Sequence, residues 1–193
     1  MDDRPTQGEH GGQPVAETFD EFFQAYEQKI FNLVYRLVGD YEDASDLTSD
    51  TFVRALRAYD RFRGDAHPYT WLYRIALNLC KNYFRQQQHR SRVHAFSLDA
   101  PTDHAGEAAP REMEDSSQSP EEQVEAKELE SLVAKSLLTV GAEFRALIVL
   151  RDLQGLSYQE IGAIVGCSEK AVKSRLFRAR TQLRDILRPH LPR

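Results

Sequence analysis

Lys170, Lys173, Ser174, Arg175 and Arg178 place four cations and a hydroxyl on a short segment whose apolar residues, Val172, Leu176, Ala179 and Leu183, recur every three or four positions. On a helix the apolar stripe turns inward, which leaves the cations, with Glu169, on faces able to meet phosphate oxygens and base edges. Arg180 and Arg184 lie farther round and would reach phosphates at best. A second set stands upstream: Arg61, Phe62 and Arg63, then Tyr69, Trp71, Tyr73, Arg74, Lys81, Tyr83, Phe84 and Arg85. Interleaved rings and cations suit unpaired nucleic acid, because ring faces stack on bases while the cations follow the backbone. The loop Phe62 to His67 has the composition to hold a base turned out of a duplex. Arg74, Asn78, Lys81 and Arg85 would share one helical face. The same rings would also fill a small core under a solvated polar face, and for Tyr83 that is the reading preferred. A third set, Asp43, Asp46, Asp50, Arg54 and Arg57, steps by three and four along one side of a helix and is acidic at its start, which partly suits the helix dipole.

All three sets are binding chemistry. Six scattered histidines, two isolated cysteines (Cys80 and Cys167) and no Gly-rich phosphate loop leave no catalytic constellation, metal-ligand spacing or cofactor motif, so an enzyme is not expected. The net charge of −5 argues against a protein that coats nucleic acid by bulk attraction, but the average hides patterning. Residues 1–60 carry a net −8, 61–98 a net +6, 99–130 a net −9, 131–168 none, and 169–193 a net +6. Two basic blocks separated by an acidic one predict two places that can meet phosphates.

The elements that must position these residues are helical. Phe19, Phe22, Phe23, Tyr26, Ile30, Leu33, Val34 and Leu37 predict one amphipathic helix, broken at Gly39 and Asp40. A second helix is expected from Asp43, with Leu47, Phe52, Ala55, Leu56 and Tyr59 inward. A third should start at Pro68 and run to about Gln88, burying Leu72, Ile75, Ala76, Leu79 and Tyr83. Residues 91–120 mix Pro, Gly, Ser and acids without periodicity, as a flexible acidic linker does. After Pro120 the helical pattern resumes with Val124, Leu129, Leu132, Val133, Leu137 and Leu138, followed by a helix around Phe144 to Leu153 that Gly155 closes. Ser157 and Ser168 are placed to cap two last helices joined by a turn at Gly166. Two short helices about a tight glycine turn, the second basic, predict a helix-turn-helix over Leu156 to Arg180, whose second helix would enter the major groove. The fold class is therefore all-α: two small helical domains, 16–90 and 121–189, joined by a flexible linker, after a disordered extension over 1–15. No strand signal and no run of apolar residues fit to span a membrane occur, and the chain reads as cytoplasmic with no membrane insertion of its own.

Two stretches carry a family resemblance. Asp43-Ala44-Ser45-Asp46-Leu47 through Thr51-Phe52, with Trp71-Leu72-Tyr73-Arg74-Ile75-Ala76-Leu77-Asn78, resembles region 2 of the extracytoplasmic-function sigma factors, within the sigma-70 family of bacterial RNA polymerase sigma factors. Leu156-Ser157-Tyr158-Gln159-Glu160-Ile161, with Val172-Lys173-Ser174-Arg175-Leu176-Phe177-Arg178-Ala179-Arg180, resembles region 4. The resemblance implies that domain 16–90 docks on the clamp of core RNA polymerase through Asp43, Asp46, Asp50, Arg54 and Arg57. It further implies that the minus-ten element of promoter DNA is opened by Arg61, Arg63, Trp71, Arg74, Asn78, Lys81 and Arg85. Lys170, Lys173, Ser174, Arg175 and Arg178 would read the minus-thirty-five element, and an anti-sigma factor would be a further partner. Three positions depart from the family's usual residues: Ser49 stands where Gln is common, Asn82 where Asp is, and Ala171 where Thr is. The competing class, a regulator that binds duplex DNA without polymerase, would use the helix-turn-helix alone.

Overall fold

The computed structural model describes residues 18–59, 67–94 and 120–190. Among them every regular element is helical: α1 (Phe19–Val38), α2 (Tyr41–Tyr59), α3 (Pro68–His94), α4 (Pro120–Thr139), α5 (Ala142–Ile148, continued by a π-helical turn over Val149–Leu153), α6 (Tyr158–Val165) and α7 (Glu169–Leu187). The expected extension 1–15, most of the expected linker and the loop holding Arg61 and Arg63 lie outside the described residues.

Helix α1 starts from a capping box: the Thr18 hydroxyl accepts from the Glu21 N–H while the Thr18 N–H donates to the Glu21 carboxylate, both at 3.3 Å. It ends at Gly39, whose φ of 83° is the left-handed cap conformation that glycine tolerates. The expected inward stripe is the buried one: Phe22, Tyr26, Ile30, Leu33, Val34 and Leu37. The second helix opens at Tyr41 and not at Asp43, because Asp40 accepts the Asp43 N–H at 2.9 Å and so acts as the cap one turn earlier. Its buried face is made of small residues, Ala44, Thr48, Thr51 and Ala55, with Phe52. Close packing through small side chains places Leu56 at the margin, where it is 55% exposed, contrary to the expected core position. Helix α3 runs on to His94, past the expected end near Gln88, and its buried face adds Tyr73 and Cys80 to Leu72, Ala76 and Leu79. Burial pushes the Cys80 thiol up to about 12.

Helices α1, α2 and α3 pack on one another, and α5, α6 and α7 form the second bundle with α4 against them. The two bundles touch: α6 lies on α3, and α4 and α5 lie on α1, so that one contiguous apolar cluster runs from Phe22 through Leu72 and Val149 to Leu176. The π-helical turn is closed by the Gln154 N–H to the Val149 carbonyl at 2.9 Å, and it delivers Gly155, at φ 71°, to the start of the helix-turn-helix.

Candidate nucleic-acid and polymerase interface

The turn between α6 and α7 follows from local chemistry. Ser157 and Glu160 form a second capping box, with the Ser157 N–H 2.7 Å from the Glu160 carboxylate and the Glu160 N–H 3.2 Å from the Ser157 hydroxyl. Gly166, at φ 74°, ends α6, and the N–H groups of Gly166 and Cys167 both reach the Gly162 carbonyl, at 2.9 and 3.0 Å. The Ser168 hydroxyl then accepts the Ala171 N–H at 3.3 Å and starts α7. Ile161, Ile164, Val172, Leu176 and Ala179 are buried between the two helices and their neighbours. That burial fixes the roll of α7, and Lys170, Lys173, Ser174, Arg175 and Arg178 all emerge exposed. Half-buried Ala171 sits at the base of this surface.

Not every cation there is equivalent. Lys173 is 2.6 Å from the Glu169 carboxylate and lies over the Tyr158 ring at 5.1 Å, with Arg151 over the same ring at 4.6 Å. Arg180, expected at best near phosphates, makes a two-pronged ion pair with Asp152 on the π-helical turn, one contact at 3.1 Å, and that bond raises the guanidinium pKa further. It braces α7 against α5 and is not part of the open basic face. Phe177, between Arg175 and Arg178 in sequence, is 74% exposed.

On α3, Arg74, Asn78, Lys81 and Arg85 share one exposed face, as their spacing requires. Arg85 donates to the Asn82 side chain at 3.2 Å, and Arg74 donates to the Ala163 carbonyl of α6 at 2.6 Å. Trp71 is half-buried against Phe22, with ring centroids 6.1 Å apart, so only part of its surface is available to a base. Tyr83 packs, as preferred from sequence: its hydroxyl donates to Asp43 at 2.6 Å, and burial together with that carboxylate pushes it up to about 12.

That bond removes one oxygen of Asp43 from the α2 stripe, while Asp46, Asp50, Arg54 and Arg57 stay exposed. Beside them stand two apolar side chains that the charge pattern alone did not reveal, Val53 at 46% and Leu56 at 55% exposure. A mixed charged and apolar face of this kind resembles the core and rim of a protein–protein contact. Among the described residues no helix is long and apolar enough to cross a membrane, and no cluster of three His, Cys, Asp or Glu side chains could hold a metal ion.

Residues 22–90 match the sigma-70 region 2 family and residues 143–183 the sigma-70 region 4 family. The chain is 34% identical over 173 residues to the RNA polymerase sigma-H factor of Pseudomonas aeruginosa, covering 90% of this chain and 88% of that one. It is 37% identical over 180 residues to the ECF RNA polymerase sigma-E factor of Escherichia coli, covering 92% and 90%. Among solved structures it resembles CnrH bound to the cytosolic domain of CnrY, with a TM-score of 0.62 and 26% identity over 89% of this chain and 88% of that one. The sigma factor RpoE of Bartonella quintana, solved with the anti-sigma factor NepR, shares the fold with a TM-score of 0.64 at 24% identity, over 88% of this chain and 96% of that one. Two regional matches in the expected order, with full-length relatives above 30% identity, establish that the chain belongs to the extracytoplasmic-function sigma factors of the sigma-70 family, transcription initiation factors and not enzymes.

Proposed function

We propose that this sigma factor brings core RNA polymerase to its promoters by a divided contact. The α2 face of Asp46, Asp50, Val53, Arg54, Leu56 and Arg57, with Asp43 at its edge, holds polymerase. Arg74, Asn78, Lys81 and Arg85 of α3, with part of Trp71 and with Arg61 and Arg63 of the preceding loop, capture the opened minus-ten element. Lys170, Ser174, Arg175 and Arg178 of α7, with Lys173 steered by Glu169 and Tyr158, read the minus-thirty-five duplex. Polymerase performs the bond chemistry. The observation that carries the reading is the fixed roll of α7, which buries Val172, Leu176 and Ala179 and leaves the five predicted reading residues exposed. Residues 16–90 act as region 2 and 121–189 as region 4, the intervening segment being a tether, and the protein works in the cytoplasm. An anti-sigma factor restrains it by covering polymerase-binding surfaces, a reading supported by the anti-sigma complex of the structurally similar Bartonella protein.

Run-off transcription with core polymerase on a randomised promoter library tests this directly. The expected result is specific initiation and recovery of two sequence elements. Duplex binding without any initiation would instead identify a regulator that acts alone.

A further inference from the structure

We infer that Tyr83 is a positioning residue: by bonding to Asp43 it fixes the roll of the distal half of α3 on α2, and so aims Lys81 and Arg85 at the opened strand. Such a role deepens, and rests on, the reading of α2 as the polymerase-binding helix and α3 as the helix that captures the minus-ten element.

Tyr83 and Asp43 are half-buried where the packing of α2 on α3 runs out. Asp43 stands in the first turn of α2, and Tyr83 lies about one turn beyond Cys80, the last buried residue of α3 among those described. The Tyr83 hydroxyl donates to Asp43 at 2.6 Å and accepts from the Gln87 amide at 3.0 Å, while the Asp43 N–H donates to Asp40 at 2.9 Å. A chain of directional bonds therefore ties α3 to the start of α2. The hydroxyl, pushed up to about 12 by burial and by that carboxylate, keeps the proton it donates. The rest of the α2 inner face is largely small: Ala44, Thr48, Thr51 and Ala55. Small side chains raise low ridges, which let two helices approach closely but resist rotation little.

Roll matters because of where the cations stand. At about 100° per residue, Arg74, Asn78, Lys81 and Arg85 lie about 140–180° round α3 from Tyr83, so the hydroxyl holds α2 on one side and the polar face leaves from the other. Arg74 and Asn78 belong to the half of α3 that buried Leu72, Ala76 and Leu79 seat. No residue from 81 to 89 is buried, and roll there falls to half-buried Tyr83 and its neighbour Phe84. A roll of about 20° carries a side-chain tip on a helix of about 5–6 Å radius through roughly 2 Å. That exceeds the spread of hydrogen-bond lengths, about 0.5 Å. With polymerase holding α2, the melted strand meets Lys81 and Arg85 only if α3 keeps its angle to that helix.

Holoenzyme reconstituted from core polymerase and the full-length parent, Tyr83→Phe or Asp43→Asn chain tests the role. Competition measures affinity for core. Fluorescence anisotropy at saturating core measures affinity for a partly melted fork carrying the minus-ten element recovered by the run-off selection. Tyr83→Phe should bind core as the parent does but the fork about tenfold more weakly, as loss of a hydrogen bond to a charged group would give. Asp43→Asn, whose amide oxygen still accepts from Tyr83, should keep fork affinity within about twofold of the parent. In a chain already carrying Lys81→Ala and Arg85→Ala, Tyr83→Phe should add nothing. Parental fork affinity in Tyr83→Phe overturns the role, and so does a fall in its core affinity, which would place the defect in docking. A loss that persists without Lys81 and Arg85 also overturns it, as general loosening of the bundle, and an equal loss in Asp43→Asn does so by placing the effect in the charge. Failure of the parent chain to initiate would instead strike the sigma reading, which keeps the two apart.

Discussion

Gly162→Ala separates two opposing effects whose sizes can be worked out from the turn geometry. Within a helix alanine is favoured over glycine by about 0.8–1.0 kcal/mol, which on its own would make the variant more stable. The added Cβ, however, would stand 2.7 Å from the Cys167 carbonyl oxygen. That oxygen is backbone, fixed by the turn in which Gly166 and Cys167 both donate to the Gly162 carbonyl at 2.9 and 3.0 Å, so it cannot swing aside as a side chain would. Overpacking of this sort costs about 1–3 kcal/mol, and loosening either turn hydrogen bond adds about 1 kcal/mol. The clash therefore wins, with a net loss of about 1–3 kcal/mol. Relief of the clash must move the start of α7, so affinity for the minus-thirty-five duplex should fall by about tenfold, as about 1.4 kcal/mol of lost contact would give. Gly166→Ala is the comparison: its Cβ meets open space, but its φ of 74° makes any side chain cost about 1–2 kcal/mol without displacing the reading helix. Urea unfolding of both variants at constant slope, with anisotropy titrations of the duplex, measures each part. A Gly162→Ala protein as stable as the parent, or more so, would refute the reasoning.

Arg175→Ala and Arg178→Ala should each reduce the salt dependence of duplex binding by about 0.9 in the log–log slope, the value for one phosphate contact, when affinity is titrated against salt. Arg180→Ala should leave that slope unchanged and lower unfolding stability by a few tenths of a kcal/mol, since its partner is the partly exposed Asp152. Leu56→Ser combined with Asp50→Ala should weaken competition for core polymerase while shifting unfolding stability by only about 0.5 kcal/mol per site, because both side chains are exposed. Stability should decline as pH rises from about 9 to about 12: Cys80, Tyr73 and Tyr83 sit near 12 in the folded chain, against ordinary values of 9.0 and 10.0. The unfolded chain then loses its protons first, and their contribution, complete below pH 9, is lost through the folded values. Urea midpoints that stay flat between pH 8 and pH 11 would contradict this. Cys80 should also resist alkylation at pH 8 until the protein is unfolded, which mass spectrometry of the labelled peptide reads directly.

What the sequence made legible is the local chemistry. The stripe from Phe22 to Leu37, the caps at Ser157 and Ser168 and the left-handed glycines at 39 and 166 each depend on residues within a few positions of one another. The burial of Val172, Leu176 and Ala179, and with it the exposed cations of α7, is of the same kind. Leu56 lies outside the core, against the expectation from its apolar side chain, because the small residues Ala44, Thr48 and Thr51 allow the closer helix contact. Asp43 looked like one more member of a charged stripe until the fold brought Tyr83, forty positions away, within 2.6 Å. Arg145 and Asp152 gave no periodic signal at all. Each is defined by partners on other helices, Leu37 for one and Arg180 for the other, and pairwise proximity of that range is not encoded in spacing.

Arg74 donates to the Ala163 carbonyl of α6 and is also one of the proposed minus-ten residues, and this bears on how genetics would see it. Its guanidinium holds the Ala163 carbonyl at 2.6 Å, and the proposed contact with the minus-ten strand would have to compete with that bond. Truncating it to alanine would therefore remove the proposed attraction to promoter DNA and, at the same time, the bond that competes with it. The two losses act in opposite directions on measured affinity. An alanine scan would therefore understate the contribution of Arg74 to binding the minus-ten strand.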